Sequence, residues 1–250
     1  MKKRALLSTF ASLALAGVMC VGLAACGGGV DAKSVKGEEV TKEVWDAALN
    51  CESMEKFFEV YGNFKLEEEM VVKTEVKTEE KSASSTTKVT TTYTYAEKKT
   101  HLELKTKVSA SGDLTDEEKE AIKKAEMEVE FYIDESGDNT VFYAELDGEW
   151  TKVESDDNDY SSATEELMNL VQGMLDTTDY DKWTYSADDK GYVMKDAKEG
   201  MTMVLKFTDG KLKAVYVEAS REQTGMKMTY TYNYVMTYGG QSVTLPEVTA

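Results

Sequence analysis

The sequence predicts an α+β fold in which a few amphipathic helices cover one antiparallel sheet. Long segments alternate apolar and polar residues, as half-buried strands do. Two Asp-Gly pairs, at 147–148 and 209–210, separate such segments and are typical of tight hairpin turns. Elsewhere apolar residues recur at three- and four-residue steps and form single stripes. Each predicted helix therefore has one face to bury against the sheet.

The first predicted element is a helix over residues 41–61, which Gly62-Asn63 ends. Its apolar residues fall at helical spacing: Val44, Ala47, Ala48, Cys51 and Phe58. Cys51 lies inside this stripe, which favours a buried small apolar residue over a reactive thiol. Two further helices are predicted, a polar one over 113–125 and one with an apolar stripe over 162–175.

From Phe64 the period changes to two, which predicts strands. Three groups of residues each share one strand face: Phe64, Leu66, Met70 and Val72; Val89, Thr91, Tyr93 and Tyr95; Leu102, Leu104, Thr106 and Val108. The Ser/Thr-rich stretch 81–87 is predicted as a loop between the first two strands. Further strands are predicted over 126–133, 141–146, 150–153, 192–194, 201–207, 211–218, 226–236 and 243–245.

The first 25 residues have the three parts of a secretory signal. Lys2, Lys3 and Arg4 are followed by an apolar run over 5–23 and by the small residues Ala24 and Ala25. The run approaches the length of a membrane-spanning helix, but its serines, threonine and glycines weaken that interpretation.

The segment Leu23-Ala24-Ala25-Cys26 resembles the lipobox of bacterial lipoproteins. The resemblance implies that Cys26 becomes the N-terminus, carries the acyl chains and anchors the chain to the outer face of the cytoplasmic membrane. The alternative is an ordinary signal with an incidental cysteine. We expect a cleaved signal at 1–25, a flexible tether over 26–39, with 30–39 polar and disordered, and a single domain over 40–250.

Composition excludes several functions. Removal of the signal takes away three positive charges and lowers the formal net charge from −18 to −21, so the domain should repel nucleic acid. His101 is the single histidine, which removes most metal clusters and the histidine-dependent catalytic sites. We therefore expect a non-enzymatic protein with no cofactor and no metal.

The acidic clusters favour turns over binding sites. Asp134, Ser136, Asp138 and Glu145 loosely match calcium-loop spacing, but Asn139 stands where that loop needs glycine. A hairpin turn is the better interpretation. The aspartates of 156–159 fit a solvated loop before a helix better than a weak cation site. The consecutive carboxylates of 67–69 cannot all face one side of a strand, so they form no paired-carboxylate site.

Two strand faces are rich in methionine and aromatic residues and could line an apolar cleft. One face carries Met201, Met203, Leu205 and Phe207, and the other carries Met226, Met228, Tyr230, Tyr232, Tyr234 and Met236. Methionine-rich surfaces adapt to poorly defined apolar ligands. The alternative is that the predicted helices pack on these faces and fill the core, which is the commoner use of such stripes.

Three features resemble the LolA-like and LppX-like lipid carriers. They are the hairpin Tyr143-Ala144-Glu145-Leu146-Asp147-Gly148-Glu149-Trp150, the closing region from Tyr232-Asn233-Tyr234 through Tyr238-Gly239 to Val243-Thr244-Leu245-Pro246, and the opening helix with Trp45. That helix also resembles uncharacterised lipoproteins of Gram-positive gut bacteria. The resemblance implies a curved half-barrel sheet with helices on its concave face, holding a lipid or another apolar ligand between them.

Two other functions remain open. The Thr/Tyr-rich strand around residues 89–95 fits an envelope module that binds protein or cell-wall polymer through its outer strand faces. A hydrolase with two carboxylates has the least support, because no acid-base pair stands out.

Overall fold

The computed structural model describes residues 30–49, 60–77, 82–112, 120, 122, 124–146, 149–155, 179–198, 200–223 and 225–248. The predicted signal, Cys26 and Cys51 lie outside these residues. So do the predicted helix over 162–175, the aspartates of 156–159 and most of the predicted helix over 113–125. Among the described residues, no helix is long and apolar enough to cross a membrane.

The described chain contains one complete helix, a short 3-10 turn at Tyr180–Lys182 and an eleven-stranded antiparallel sheet, with further helical residues at positions 60, 61, 120, 122, 124 and 125. The helix α1 is Lys42–Leu49, and the strands are β1 Phe64–Lys77, β2 Ser82–Ala96, β3 Lys99–Gly112, β4 Met127–Asp134, β5 Thr140–Leu146, β6 Glu149–Ser155, β7 Thr184–Ser186, β8 Gly191–Asp196, β9 Met201–Thr208, β10 Lys211–Gln223 and β11 Met226–Tyr238.

The strand order is β6-β5-β4-β3-β2-β1-β11-β10-β9-β8-β7. Consecutive strands are therefore neighbours in the sheet, except β6 and β7, which form its two edges. Strands β1 and β11 pair along their whole lengths, with Phe64 opposite Tyr238 and Val76 opposite Met226. This non-local pairing joins the N-terminal and C-terminal halves of the sheet.

The predicted fold class is wrong. We expected a half-barrel whose concave face is covered by a few amphipathic helices, whereas the part of the chain that the structure describes is mostly a large antiparallel sheet with a single complete α-helix, Lys42–Leu49. The predicted strand positions are confirmed for β1 to β6 and for β8 to β11, whereas β7, Thr184–Ser186, was not predicted. Some strands are longer than the alternation suggested. Polar segments without an apolar signal extend them, because their backbones pair with neighbouring strands.

The stretch 81–87 shows why. It was predicted as a loop, but Ser82–Ala96 is one strand, with Ser82 opposite Lys77 of β1 and Ala83 opposite Gly112 of β3. Its backbone groups are satisfied by two neighbouring strands, and Ser and Thr side chains cost little at partly exposed positions. Local composition could not show that neighbours were available on both sides.

The predicted last strand over 243–245 is also wrong, since residues 241–248 have no regular secondary structure. Gly239 and Gly240 both have positive φ, at 70° and 69°, and turn the chain away after β11. The predicted Asp209-Gly210 turn is confirmed, with φ of 53° and 70°.

The side chains of the sheet divide between two faces. The core face carries the residues of even number on β1 and β11, and it packs against α1 through Trp45. That indole is fully buried, with ring centroids 5.0–5.6 Å from those of Tyr180, Trp183, Tyr192 and Phe207. The predicted helix is thus confirmed over Lys42–Leu49, with its apolar residues against the sheet.

The segment before α1 is ordered against the opposite, outer face, although we expected a disordered tether there. Ala32 is buried and donates its amide hydrogen to Asn233 Oδ1 at 3.2 Å. The buried Lys206 ammonium donates to the carbonyl oxygens of Lys33 at 2.7 Å and Val35 at 3.0 Å. Burial lowers the pKa of Lys206. These long-range contacts have no local sequence signal, which is why a polar composition suggested disorder.

Candidate functional site

The residues predicted to line an apolar cleft separate into two groups. Met203, Leu205, Phe207 and Tyr234 are buried in the core. Phe207 packs against Trp45 at 5.2 Å between ring centroids, so helix packing accounts for its environment. The filled-core alternative therefore describes these four positions.

The second group stays partly exposed on the core face. We call it the Met/Tyr patch: Met201, Met226, Met228, Tyr230 and Tyr232. Met226 is 37% exposed, and the other four are partly buried and pack against the edge of the core. The patch is continuous with the core.

The register brings the members of the patch together. Ala219 of β10 lies opposite both Met201 of β9 and Tyr230 of β11, so the three form one row across the sheet. The hydroxyl of Tyr230 contacts the Met228 sulfur at 3.5 Å. The rings of Tyr232 and Tyr234 lie parallel, 6.5 Å apart, and connect the patch to the buried interior. The patch thus combines flexible thioethers with aromatic rings that carry a polar end.

A carboxyl group lies within this apolar face. Glu68 has the same parity on β1 as Leu66 and Met70, and its register partners are Tyr234 and Thr91. The Tyr234 hydroxyl donates to Glu68 Oε1 at 3.2 Å. Burial raises the pKa of Glu68, against the effect of hydrogen bonds from Tyr234 and Thr91. Burial together with the nearby Glu68 raises the pKa of Tyr232 to about 12, so this phenol stays protonated.

The sequence correctly predicted that the carboxylates of residues 67–69 do not all face one side, but it did not show that Glu68 lies on the apolar core face. The three carboxylates do not face one side, because Glu67 and Glu69 lie on the outer face. The even parity shared with Leu66 and Met70 was the signal that could have placed Glu68 among apolar side chains.

We expect Glu68→Gln to stabilise the domain at neutral pH. The folded state raises the pKa of Glu68 and so binds its proton more tightly than the unfolded chain. The ionised carboxylate therefore lowers stability once the pH exceeds the unfolded value of about 4.3, and its full cost is present above the folded pKa. Glutamine keeps an acceptor for Tyr234 without the charge, so the gain should be on the order of 1 kcal/mol at pH 7 and absent at pH 3.

Urea denaturation of both proteins at the two pH values measures this difference. The matched control is Glu75→Gln, which changes an exposed carboxylate on the same strand and should stay within about 0.5 kcal/mol of the wild type. A Glu68→Gln protein that is less stable than the wild type at pH 7 would show that the ionised carboxylate is stabilising.

The outer face holds a second cluster that sequence reasoning did not find. His101 and Glu103 of β3 lie beside Glu130 of β4, and these side chains could hold a metal ion. The spacing His101-x-Glu103 on a strand was a local signal, but Glu130 is brought there only by the register. A single histidine had led us to expect no metal site.

The acidic segment at Asp134–Asp138 forms a turn, as the sequence predicted, and a second acidic turn precedes β8. Asp134 Oδ1 accepts the amide hydrogen of Ser136 at 3.0 Å, which closes a tight turn between β4 and β5. Asp189 donates its amide hydrogen to Ser186 Oγ at 3.2 Å in the turn before β8. Both turns satisfy their own polar groups.

Comparison with known proteins adds little. No protein-family model matches the sequence, and no curated protein matches it. Among solved structures, the crystal structure of the ywiB protein from Bacillus subtilis is similar over 71% of this chain and 94% of its own, with 10% sequence identity and a TM-score of 0.17. A TM-score of this size supports no inference about fold or function.

Proposed function

We propose that the chain is a membrane-anchored extracytoplasmic lipoprotein that binds a lipid or another amphiphile on the Met/Tyr patch and catalyses no reaction. The observation that carries the proposal is the patch itself. It is an extension of the apolar core that is exposed at Met226 and only partly buried at Met228, Tyr230 and Tyr232. Soluble domains seldom leave such a continuous apolar surface exposed without a ligand or partner for it.

The composition of the surroundings favours an amphiphile over a purely apolar molecule. Tyr232 and Tyr230 offer hydroxyl groups at the patch, and Glu68 lies next to Tyr234 at its inner end. A ligand with an acyl chain would contact the thioethers, and its polar head could bond to the hydroxyls. Few polar groups in an apolar surround are the usual composition of a small-molecule site.

The proposed anchor agrees with the position of the N-terminal segment. The lipobox resemblance at Cys26 supplies the lipid attachment, and two or more acyl chains give stable membrane binding. Ala32 is packed on the outer face, so only five residues lie between it and Cys26 in the sequence. Between Cys26 and Asp31 the chain can span at most about 18 Å. The domain would therefore stay close to the membrane surface, within reach of lipids.

Mass spectrometry tests both parts of the proposal. The protein purified from a Gram-positive host should begin at Cys26 and carry acyl groups. The mature chain with Cys26→Ser, which cannot be acylated, should bind phosphatidylglycerol in native mass spectra, and Met228→Lys should weaken that binding at least tenfold. Lysine places a charge on the apolar patch, where it must be desolvated by the acyl chain.

The matched control is Thr229→Lys, which adds the same charge on the outer face of the same strand. Circular dichroism would verify that both variants are folded. The ligand proposal fails if Met228→Lys and Thr229→Lys bind phosphatidylglycerol as tightly as the parent chain. The anchor proposal fails independently if the purified protein starts at another residue or carries no acyl mass.

A second candidate is an envelope module that binds cell-wall polymer through the outer face. Thr90 and Thr92 of β2 present partly exposed hydroxyls on that face. Co-sedimentation of the Cys26→Ser chain with purified cell wall, together with no lipid in the native spectra, would favour this function.

A further inference from the structure

The cluster on the outer face is built by two neighbouring strands. His101 lies opposite Tyr132, and Glu103 lies opposite Glu130. Side chains two residues apart on a strand share a face, so all four point to the same side. The imidazole Nε2 lies 2.8 Å from Glu130 Oε1 and 3.8 Å from Glu103 Oε1. The pairing of β3 with β4 thus brings together one imidazole nitrogen and two carboxylate groups as donors.

The distances suit a small divalent cation. The three ligand atoms all lie within 4.8 Å of one another. Zinc binds histidine nitrogen and carboxylate oxygen at about 2.0–2.2 Å, so tetrahedral ligand atoms are about 3.4 Å apart. The distances from Nε2 to the two carboxylate oxygens, 2.8 Å and 3.8 Å, fall on either side of that value. Small side-chain rotations would therefore suffice, with the ion replacing the Nε2 proton that now bonds to Glu130.

Tyr132 holds these ligands in place. Its ring stacks on the His101 imidazole with centroids 4.2 Å apart and an interplanar angle of 9°. Its hydroxyl donates to Glu130 Oε1 at 2.8 Å. Trp150 in turn packs edge-on against Tyr132 at 5.3 Å. Groups that orient the ligands in this way are the usual outer support of a metal site.

The local charge also favours a cation. Glu103, Glu128 and Glu130 surround the site, and Lys105 is the nearby cation. Its ammonium lies 2.9 Å from Glu128 Oε1 but 3.8 Å from Glu103 Oε2, so its closer partner is outside the cluster. The three ligands are partly exposed, so an ion could enter and keep water in its remaining positions.

We propose that His101, Glu103 and Glu130 form a binding site for a divalent transition-metal ion of the zinc class. Imidazole with carboxylates is a donor set suited to such ions. The site is on the face opposite the Met/Tyr patch, and it does not depend on the proposed lipid binding.

Calorimetric titration of the purified Cys26→Ser chain with ZnCl₂ tests the proposal. We expect one tight zinc ion per chain, and at least a tenfold loss of affinity in His101→Asn and in Glu130→Gln. The matched control is Glu154→Gln on β6, an exposed carboxylate with a lysine partner at 3.4 Å, which should leave the affinity unchanged. MgCl₂ should bind weakly or not at all, because magnesium disfavours imidazole.

A second measurement does not depend on a folded variant. Because His101 is the single histidine, the imidazole NMR signals of the wild-type chain come from one residue. Stoichiometric zinc should shift its Nε2 signal strongly. An unshifted Nε2 signal at stoichiometric zinc, or unchanged zinc affinity in a folded His101→Asn protein, would overturn the proposal.

Discussion

Replacement of Trp45 by alanine should destabilise the domain by about 4 kcal/mol, the largest loss we expect from a single core residue. Trp45 is fully buried and contacts four aromatic rings, from Tyr180 to Phe207. It is the side chain through which α1 docks on the sheet. Its removal would take away the burial of the indole and leave a cavity that the rigid strands cannot fill.

Urea denaturation followed by far-UV circular dichroism measures this loss. Lys42→Ala on the same helix is the control, since Lys42 is exposed and pairs with Asp46 at the next turn. It should cost no more than about 0.5 kcal/mol. A loss below about 1.5 kcal/mol for Trp45→Ala would mean that α1 contributes little to the stability of the sheet.

Lys88→Met should cost about 3 kcal/mol, the second large effect. The Lys88 ammonium lies 2.8 Å from Glu69 Oε2 on the outer face, and the two side chains are only 9% and 14% exposed. Removing the lysine leaves the Glu69 carboxylate charged and poorly solvated, without the ammonium group that now pairs with it. Breaking a buried ion pair from one side is strongly destabilising for that reason.

The double variant Glu69→Leu/Lys88→Met should recover most of that loss, because neither charge then remains to be desolvated. Lys152→Met is the matched control. It breaks a pair with Glu154 whose side chains are 50% and 54% exposed, and solvent screening should keep its effect within about 0.5 kcal/mol. Additive losses in the double variant would show that the charges are stabilised by groups other than each other.

The strand positions could be predicted because alternation is a local property. Phe64, Leu66, Met70 and Val72 share a face in any strand that includes them, and all four are buried. The Asp147-Gly148 pair likewise predicted a hairpin, and the two strands that flank it do pair, with Glu145 opposite Trp150. These features need only neighbouring residues in the chain to be recognised.

The fold class could not be derived in the same way. The long pairing of β1 with β11 joins residues that lie at least 150 positions apart, since Val76 is opposite Met226, and it decides that all strands form one sheet. The start of β2, Ser82 to Thr87, carries no apolar alternation. It is nevertheless a strand, because it pairs with the end of β1 on one side and with the end of β3 on the other. Tertiary pairing therefore overrode the composition that predicted a loop and helical covering.

The candidate sites show the same division. Composition and spacing identified the Met/Tyr face and predicted the lipid-bearing Cys26, which remains a prediction. They did not show that Glu68 meets Tyr234, that Glu130 meets His101, or that Ala32 packs beside Asn233.

The sequence by itself determined where strands begin to alternate, where two hairpins turn, and how acidic the chain is. Only the tertiary structure decided which polar groups are buried and which meet. The physical reason is that a side chain's face depends on its own strand, whereas its neighbours depend on the register between strands distant in sequence. That register sets the distances on which burial, pKa and metal ligation depend.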